Sequence, residues 1–64
     1  MRDIFIVALI KKYEAEIASN KATLTIYLTN SVGIGEHPQH IKEMDKIIHK
    51  IGEAQDKLSI IKNI

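Results

Sequence analysis

Two histidines near the middle of the chain have a spacing that suggests chemistry. His37 and His40 are three positions apart, and Glu36 and Glu43 lie close to them. On a helix, side chains three or four positions apart share one face, so this group could hold a divalent metal ion. Because two histidines are a thin ligand set, a metal-binding assembly through His37 and His40 is an alternative that requires several copies of the chain. No metal or other cofactor is expected for a single copy.

A second group of residues could bind an anion. Backbone N–H groups around Gly33 and Gly35 precede the start of a predicted helix, and such helix starts attract phosphate and carboxylate groups. Glu36 opposes this interpretation, because it would place a negative charge inside the site. The ordinary explanation of both glycines is that they end one helix and reverse the chain. The candidate ligand-binding or partner-binding residues are Gly33, Gly35, Glu36, His37, His40 and Lys42.

Hydrolytic chemistry has no evident basis in this sequence. Ser19, Ser31 and Ser59 have no recognisable histidine and acid partners, and two helices alone offer little concavity for a substrate. We therefore expect the protein not to be an enzyme.

One strong break organises the whole chain. The segment 30–38 contains two glycines and a proline, and it separates two arms of nearly equal length. The sequence predicts a single domain, residues 1–64, with a helix over about 3–29, a loop over about 30–37 and a helix over about 38–62. The expected fold class is all-α, an antiparallel two-helix hairpin of coiled-coil type that self-associates into a helical bundle.

The first arm has apolar residues at alternating steps of four and three, the spacing of helices that pack side by side. One polar residue, Asn20, interrupts this seam; it either sets the register of the packed helices or lies at a solvated edge. The stretch 23–28 alternates and is rich in β-branched residues, so a strand is the competing interpretation there. Asp3 is expected to cap the start of the helix. The predicted seam consists of Ile6, Ile10, Tyr13, Ile17, Asn20, Leu24 and Tyr27.

The second arm begins at Pro38, a residue favoured in the first turn of a helix. Gly52 in the middle of this arm suggests a close helix crossing. His49 is expected on the charged face, paired with Asp45. The predicted apolar stripe consists of Ile41, Met44, Ile48, Ile51, Leu58 and Ile61, widened by Ile47 and Ala54.

The start of the chain is too apolar for a two-helix unit. When the arms fold back on each other, a single partner helix covers one side of residues 4–10, yet this segment is apolar on every side. We therefore expect a homo-oligomer held largely by the joined open ends of the hairpins, a four-helix dimer being the simplest case. The predicted interface consists of Ile4, Phe5, Ile6, Val7, Leu9, Ile10, Leu58 and Ile61.

Composition limits the class of partner and the location. The formal net charge is only +1 and the charges are mixed along both arms, which argues against nucleic-acid binding. The apolar run 4–10 is too short to cross a bilayer, so no membrane role is expected. The chain has no cysteine, which removes disulfides and thiolate zinc sites. These features indicate a cytoplasmic protein.

The loop and its surroundings also carry a resemblance. The residues Val32-Gly33-Ile34-Gly35-Glu36-His37-Pro38, with Tyr27 to Ser31 before them and parts of 43–58 after them, resemble small uncharacterised proteins of tailed bacteriophages. This resemblance implies a phage-encoded protein acting in the host cytoplasm or in a particle, and it transfers no activity. The function expected from the sequence is that of a non-enzymatic homo-oligomeric protein that binds a host or phage macromolecule. The alternatives are an oligomer that sequesters a nucleotide or other anion, and the metal-binding assembly.

Overall fold

The computed structural model describes residues 2–29 and 38–64. Helix α1 is Arg2–Thr29 and helix α2 is Pro38–Lys62. The two helices pack along each other, and the molecule measures 51 × 14 × 12 Å. The prediction of an all-α helical hairpin is confirmed.

Helix α1 continues through the stretch for which a strand was the alternative, and that alternative is wrong. Its threonines are accommodated because each hydroxyl donates to a carbonyl one turn earlier: Thr23 to Ser19 at 3.1 Å and Thr25 to Lys21 at 2.9 Å. These bonds satisfy the hydroxyl groups within the helix, so β-branched side chains there do not require a sheet. At the other end, Asp3 lies in the first turn, where its charge favours the helix dipole.

The inner face of α1 is the one that the spacing predicts. All seven predicted seam residues, from Ile6 to Tyr27, are half-buried. Asn20 belongs to this seam, and its side-chain nitrogen donates to the Glu16 carbonyl oxygen at 2.8 Å. Because that hydrogen bond stays within α1, Asn20 satisfies one of its donors without reaching across to α2.

The inner face of α2 differs from the predicted stripe at its N-terminal half. Ile41 and Ile48 are exposed, whereas His40 and Ile47 face α1. The inward residues of α2 follow steps of four and three without a break, and these steps determine which side of the helix faces α1. The same steps place His40 at a position that an apolar residue usually occupies. The inward residues of α2 are His40, Met44, Ile47, Ile51, Ala54, Leu58 and Ile61.

Two side-chain contacts fix how the helices are aligned. The rings of Tyr27 and His40 lie 4.9 Å apart at the end of the hairpin nearest residues 30–37. Farther along, Lys57 Nζ lies 5.9 Å from the centre of the Tyr13 ring. Both contacts agree with an antiparallel alignment that sets Ile17 level with Ile51, midway along the hairpin.

The core of the described part is very small. Only Ile47, Ile51 and Ala54 are buried, and all three belong to α2; within residues 3–29 no side chain reaches that degree of burial. Gly52 does not mark a close crossing, since a Cβ built on it meets no atom within 4 Å. Each helix therefore covers the other along one narrow line.

Candidate functional site

Four of the six candidate ligand-binding residues fall outside the part of the chain that the structure describes. These are Gly33, Gly35, Glu36 and His37. The loop interpretations, the anion site and the histidine pair, stay predictions. The two remaining candidates, His40 and Lys42, lie on α2 and can be placed.

His40 is a seam residue as well as a member of the candidate site. Its ring packs at 49° to that of Tyr27, and its Nε2 atom is buried without a hydrogen-bond partner in the described ranges. Lys42 is exposed. Residues two positions apart on a helix are separated by a rotation of about 200° around its axis and so lie on nearly opposite sides. Helix α2 therefore does not bring His40 and Lys42 together.

No metal centre is assembled from the side chains of residues 2–29 and 38–64, in which no three His, Asp or Glu residues cluster. His49 is exposed, and its Nε2 lies 3.5 Å from Glu53 Oε2, so its nearest acid is one turn later in the chain and is not Asp45. An exposed pair of this kind contributes little to stability.

One side of the hairpin is polar. A cleft of about 120 Å³ runs beside the seam, and its walls come from both helices. Glu16 of α1 and Lys50 and Lys57 of α2 each directly precede a seam residue. We call this side the polar face; its cleft is lined by Glu16, Asn20, Lys50, Glu53, Ala54 and Lys57.

The opposite side carries exposed aliphatic residues. Here lie the residues that directly follow every second seam residue, counted from Ile6 on α1 and from His40 on α2. Four of these eight positions are occupied by Val7, Leu28, Ile41 and Ile48, each more than half exposed. The other four positions hold Glu14, Lys21, Gln55 and Lys62, all exposed. We call these eight residues the aliphatic face.

A hydrophobic residue after the seam residue, in addition to the seam itself, is the pattern of helices in larger bundles. A two-stranded coil needs only the seam, and its flanking positions are usually charged. The sequence contained the spacing that places Ile41 and Ile48 outside the seam, yet the predicted apolar stripe included both residues. Counting back from Ile61 in steps of three and four would have placed both residues on the outer side.

The predicted oligomer interface divides into two sets. Ile4, Phe5 and Val7 are exposed and can contact another molecule. The other five residues are half-buried, and all of them except Leu9 are seam residues of their own hairpin. These five are Ile6, Leu9, Ile10, Leu58 and Ile61. Near the same end, Ile60 and Ile64 are exposed as well.

Two hollows on the described helices are open to solvent. The larger one, about 460 Å³, is lined by residues of α2 alone, from Asp45 to Glu53, and therefore has no opposing wall. The cleft on the polar face is narrow and charged. In the described helices, no segment has the length and apolar character needed to cross a bilayer.

Comparison of the chain with protein-family models, with curated proteins and with solved structures finds no match.

Proposed function

We propose that this chain is a non-enzymatic interaction protein that self-associates through its helices and binds a host or phage macromolecule. The observation that supports this most is the imbalance between core and surface. Three side chains of the described residues are buried, whereas nine large hydrophobic side chains are exposed. The exposed set is Ile4, Phe5, Val7, Ile26, Leu28, Ile41, Ile48, Ile60 and Ile64.

Surface area supports the same proposal. The chain exposes 5057 Å². A compact monomer of 7.2 kDa is expected to expose about 4,100 Å². The difference, roughly 900 Å², is close to the area of about 800 Å² that each partner buries in a standard protein interface. A second copy is an economical way to cover it, and association is a usual source of stability at this size.

The partner beyond a second copy is proposed from the sequence. The resemblance to small proteins of tailed bacteriophages points to a macromolecule of the phage or its host, met in the host cytoplasm. With a net charge of +1 and with acidic and basic residues mixed along both helices, a protein partner fits better than a nucleic acid. The shallow, charged clefts fit a contact surface better than an active site.

The test of self-association is the absolute mass in solution. Light scattering behind a size-exclusion column, over a hundredfold range of concentration, should give at least twice the mass of 7.2 kDa at micromolar concentration. A mass of one chain over the whole range would contradict the proposal of an oligomer. Immobilised protein should then retain a defined host or phage protein from infected-cell lysate. The same capture with a variant changed at the candidate loop residues would show whether the loop contributes to binding that protein.

A further inference from the structure

We infer that the aliphatic face is the self-association surface, and that its occupant is a second copy lying antiparallel on it. This inference rests on the proposed self-association and adds the face, the direction and the residue pairs. Two hairpins stacked in this way form a four-helix bundle in which the ends of the two copies that carry Thr29 and Pro38 lie at opposite ends. Each open end then lies against the loop end of the partner, whereas the sequence alone suggested that the two open ends meet.

The two faces of the hairpin differ in the charge and the apolar surface that a partner would cover. The polar face brings Glu16, Lys50 and Lys57 of both helices to one cleft, so covering it would remove several charges from water. On the aliphatic face, hydrophobic residues occupy four of the eight positions. Burying this face costs less desolvation and covers more apolar surface.

The order of residues along α1 is self-complementary when two copies run antiparallel. A two-fold axis that passes the middle of α1 and lies across the rod places Val7 of one copy beside Leu28 of the other. The same axis places Glu14 of one copy beside Lys21 of the other. Both contacts occur twice, so apolar meets apolar and acid meets base throughout α1.

The other way of stacking the same faces keeps one apolar contact, Leu28 against Ile41, but it lacks the ion pair. With the two-fold axis along the rod, Val7 would face Lys62 of the second copy and Lys21 would face Ile48. Glu14 would then face Gln55 and would have no basic partner. Neither Glu14 nor Lys21 forms an ion pair inside residues 2–29 and 38–64, so both are available for a contact between copies. Charge complementarity therefore favours the antiparallel arrangement.

Helix α2 has room for the same approach. Gly52 lies on its surface between Ile48 and Gln55, one turn from each, and the space beside it is open. A glycine inside a helix lowers helix stability, and this one permits no close contact within the hairpin. In the antiparallel dimer the axis passes level with Gly52, so its missing side chain leaves room for the two α2 helices to approach. Ile48 of one copy then lies beside Gln55 of the other, and Ile41 lies beside Lys62.

The test uses charge reversal at the two paired positions. Glu14→Lys makes both contacts Lys against Lys, and Lys21→Glu makes both Glu against Glu. Each variant should raise the dimer dissociation constant about tenfold at low ionic strength, measured by sedimentation equilibrium. An equimolar mixture of the two variants should restore dimer, because the mixed pair again sets Lys against Glu at both contacts. The double variant Glu14→Lys/Lys21→Glu should dimerise like the original chain.

Lys12→Glu is the matched control, since Lys12 is exposed on the other side of α1 and its reversal changes the net charge equally. It should leave the dissociation constant within about twofold. A second pair of variants tests the apolar contact: Val7→Asp should give monomer, whereas Ile26→Asp, equally exposed but off this face, should not. Circular dichroism should show an unchanged helical hairpin in all variants.

The outcomes separate the two proposals. If the original chain is monomeric at all concentrations, both the oligomer and this interface are wrong. If the chain is a dimer and the charge variants, their mixture and Val7→Asp all behave like the original, self-association stands and the aliphatic face is not the interface.

Discussion

His40 packs its ring against that of Tyr27, with the centroids 4.9 Å apart, at the end of the seam that joins the two helices. A polar residue thus occupies a position that the spacing reserves for an apolar one. Its Nε2 is buried and has no hydrogen-bond partner in the described part of the chain. The hairpin is therefore less stable at this end than it would be with an apolar residue at this seam position.

His40→Leu should stabilise the hairpin. The change removes a buried nitrogen that lacks a hydrogen bond and adds an apolar side chain to the seam, which together should raise the free energy of unfolding by about 1 kcal/mol. In a chain of this size that corresponds to an increase of about 4–8 °C in Tm, measured by circular dichroism at one fixed concentration. The control is His49→Leu, at an exposed position, which should leave Tm nearly unchanged. A Tm of His40→Leu at or below that of the original chain would mean that the histidine makes a favourable contact there.

Ala54→Phe should destabilise the protein. Ala54 is 3% exposed and faces α1, so a ring at this position has to push the helices apart, at a cost of about 1–3 kcal/mol. Ala22→Phe is the matched control, because Ala22 is exposed on α1 and its new ring would extend into solvent. Thermal melts of both variants would disagree with the structure if Ala54→Phe lost no more than Ala22→Phe.

Ile51→Ala should abolish cooperative unfolding. Truncating a buried isoleucine costs about 2–5 kcal/mol, which is comparable to the whole stability expected of so small a core. Ile60→Ala, at a 64% exposed position, should retain a cooperative melt with a loss of less than about 1 kcal/mol. Urea titration followed by circular dichroism measures both; equal losses at the two positions would contradict the burial of Ile51.

Asn20→Leu should raise stability and leave the helix alignment unchanged. The amide of Asn20 donates to the Glu16 carbonyl of its own helix, so its loss breaks no hydrogen bond between α1 and α2. The added leucine lengthens the apolar seam, and we expect a gain of about 1 kcal/mol. Measurement of Tm and of mass by light scattering checks both parts. A change of oligomeric state would show instead that Asn20 selects the assembly, as a polar seam residue does in some coiled coils.

The alternatives that depend on the loop have their own measurement. If the protein acts through surface contacts, millimolar inorganic phosphate, nucleotide or a chelator should leave Tm unchanged. A rise of several degrees with phosphate or nucleotide would support the anion site at Gly33 and Gly35, because a ligand that binds only the folded state stabilises it. A fall with the chelator would support metal binding through His37 and His40.

Sequence reasoning succeeded for α1 and was half right for α2, for a physical reason. In the middle of α1, the residues on either side of Tyr13, Ile17 and Leu24 are polar or small, so the phase of the helix is unambiguous. In α2, Ile47 and Ile48 are adjacent, and hydrophobicity alone does not decide which of them faces the partner helix. The spacing of three and four counted back from Ile61 decides it, because one phase holds for the whole of α2.

The same ambiguity explains what was missed at the candidate site. Once Ile48 was assigned to the inner stripe, the eight positions of the aliphatic face did not stand out as a group. His40 was judged as a potential ligand by its type, whereas its neighbour across the seam, Tyr27, is known only from the fold. Residues of a surface formed by two helices become visible only when both phases and the alignment are known.

The elongated shape affects the hydrodynamic properties of the protein. A radius of gyration of 15.0 Å is far above the value of about 11 Å for a compact chain of this length. It equals the radius of gyration of a compact protein of about 150 residues. On a column calibrated with globular standards, a single hairpin would thus elute earlier than a compact protein of 7.2 kDa. Elution volume alone would overstate assembly, and diffusion or sedimentation measured together with mass is needed to distinguish a slender monomer from a true dimer.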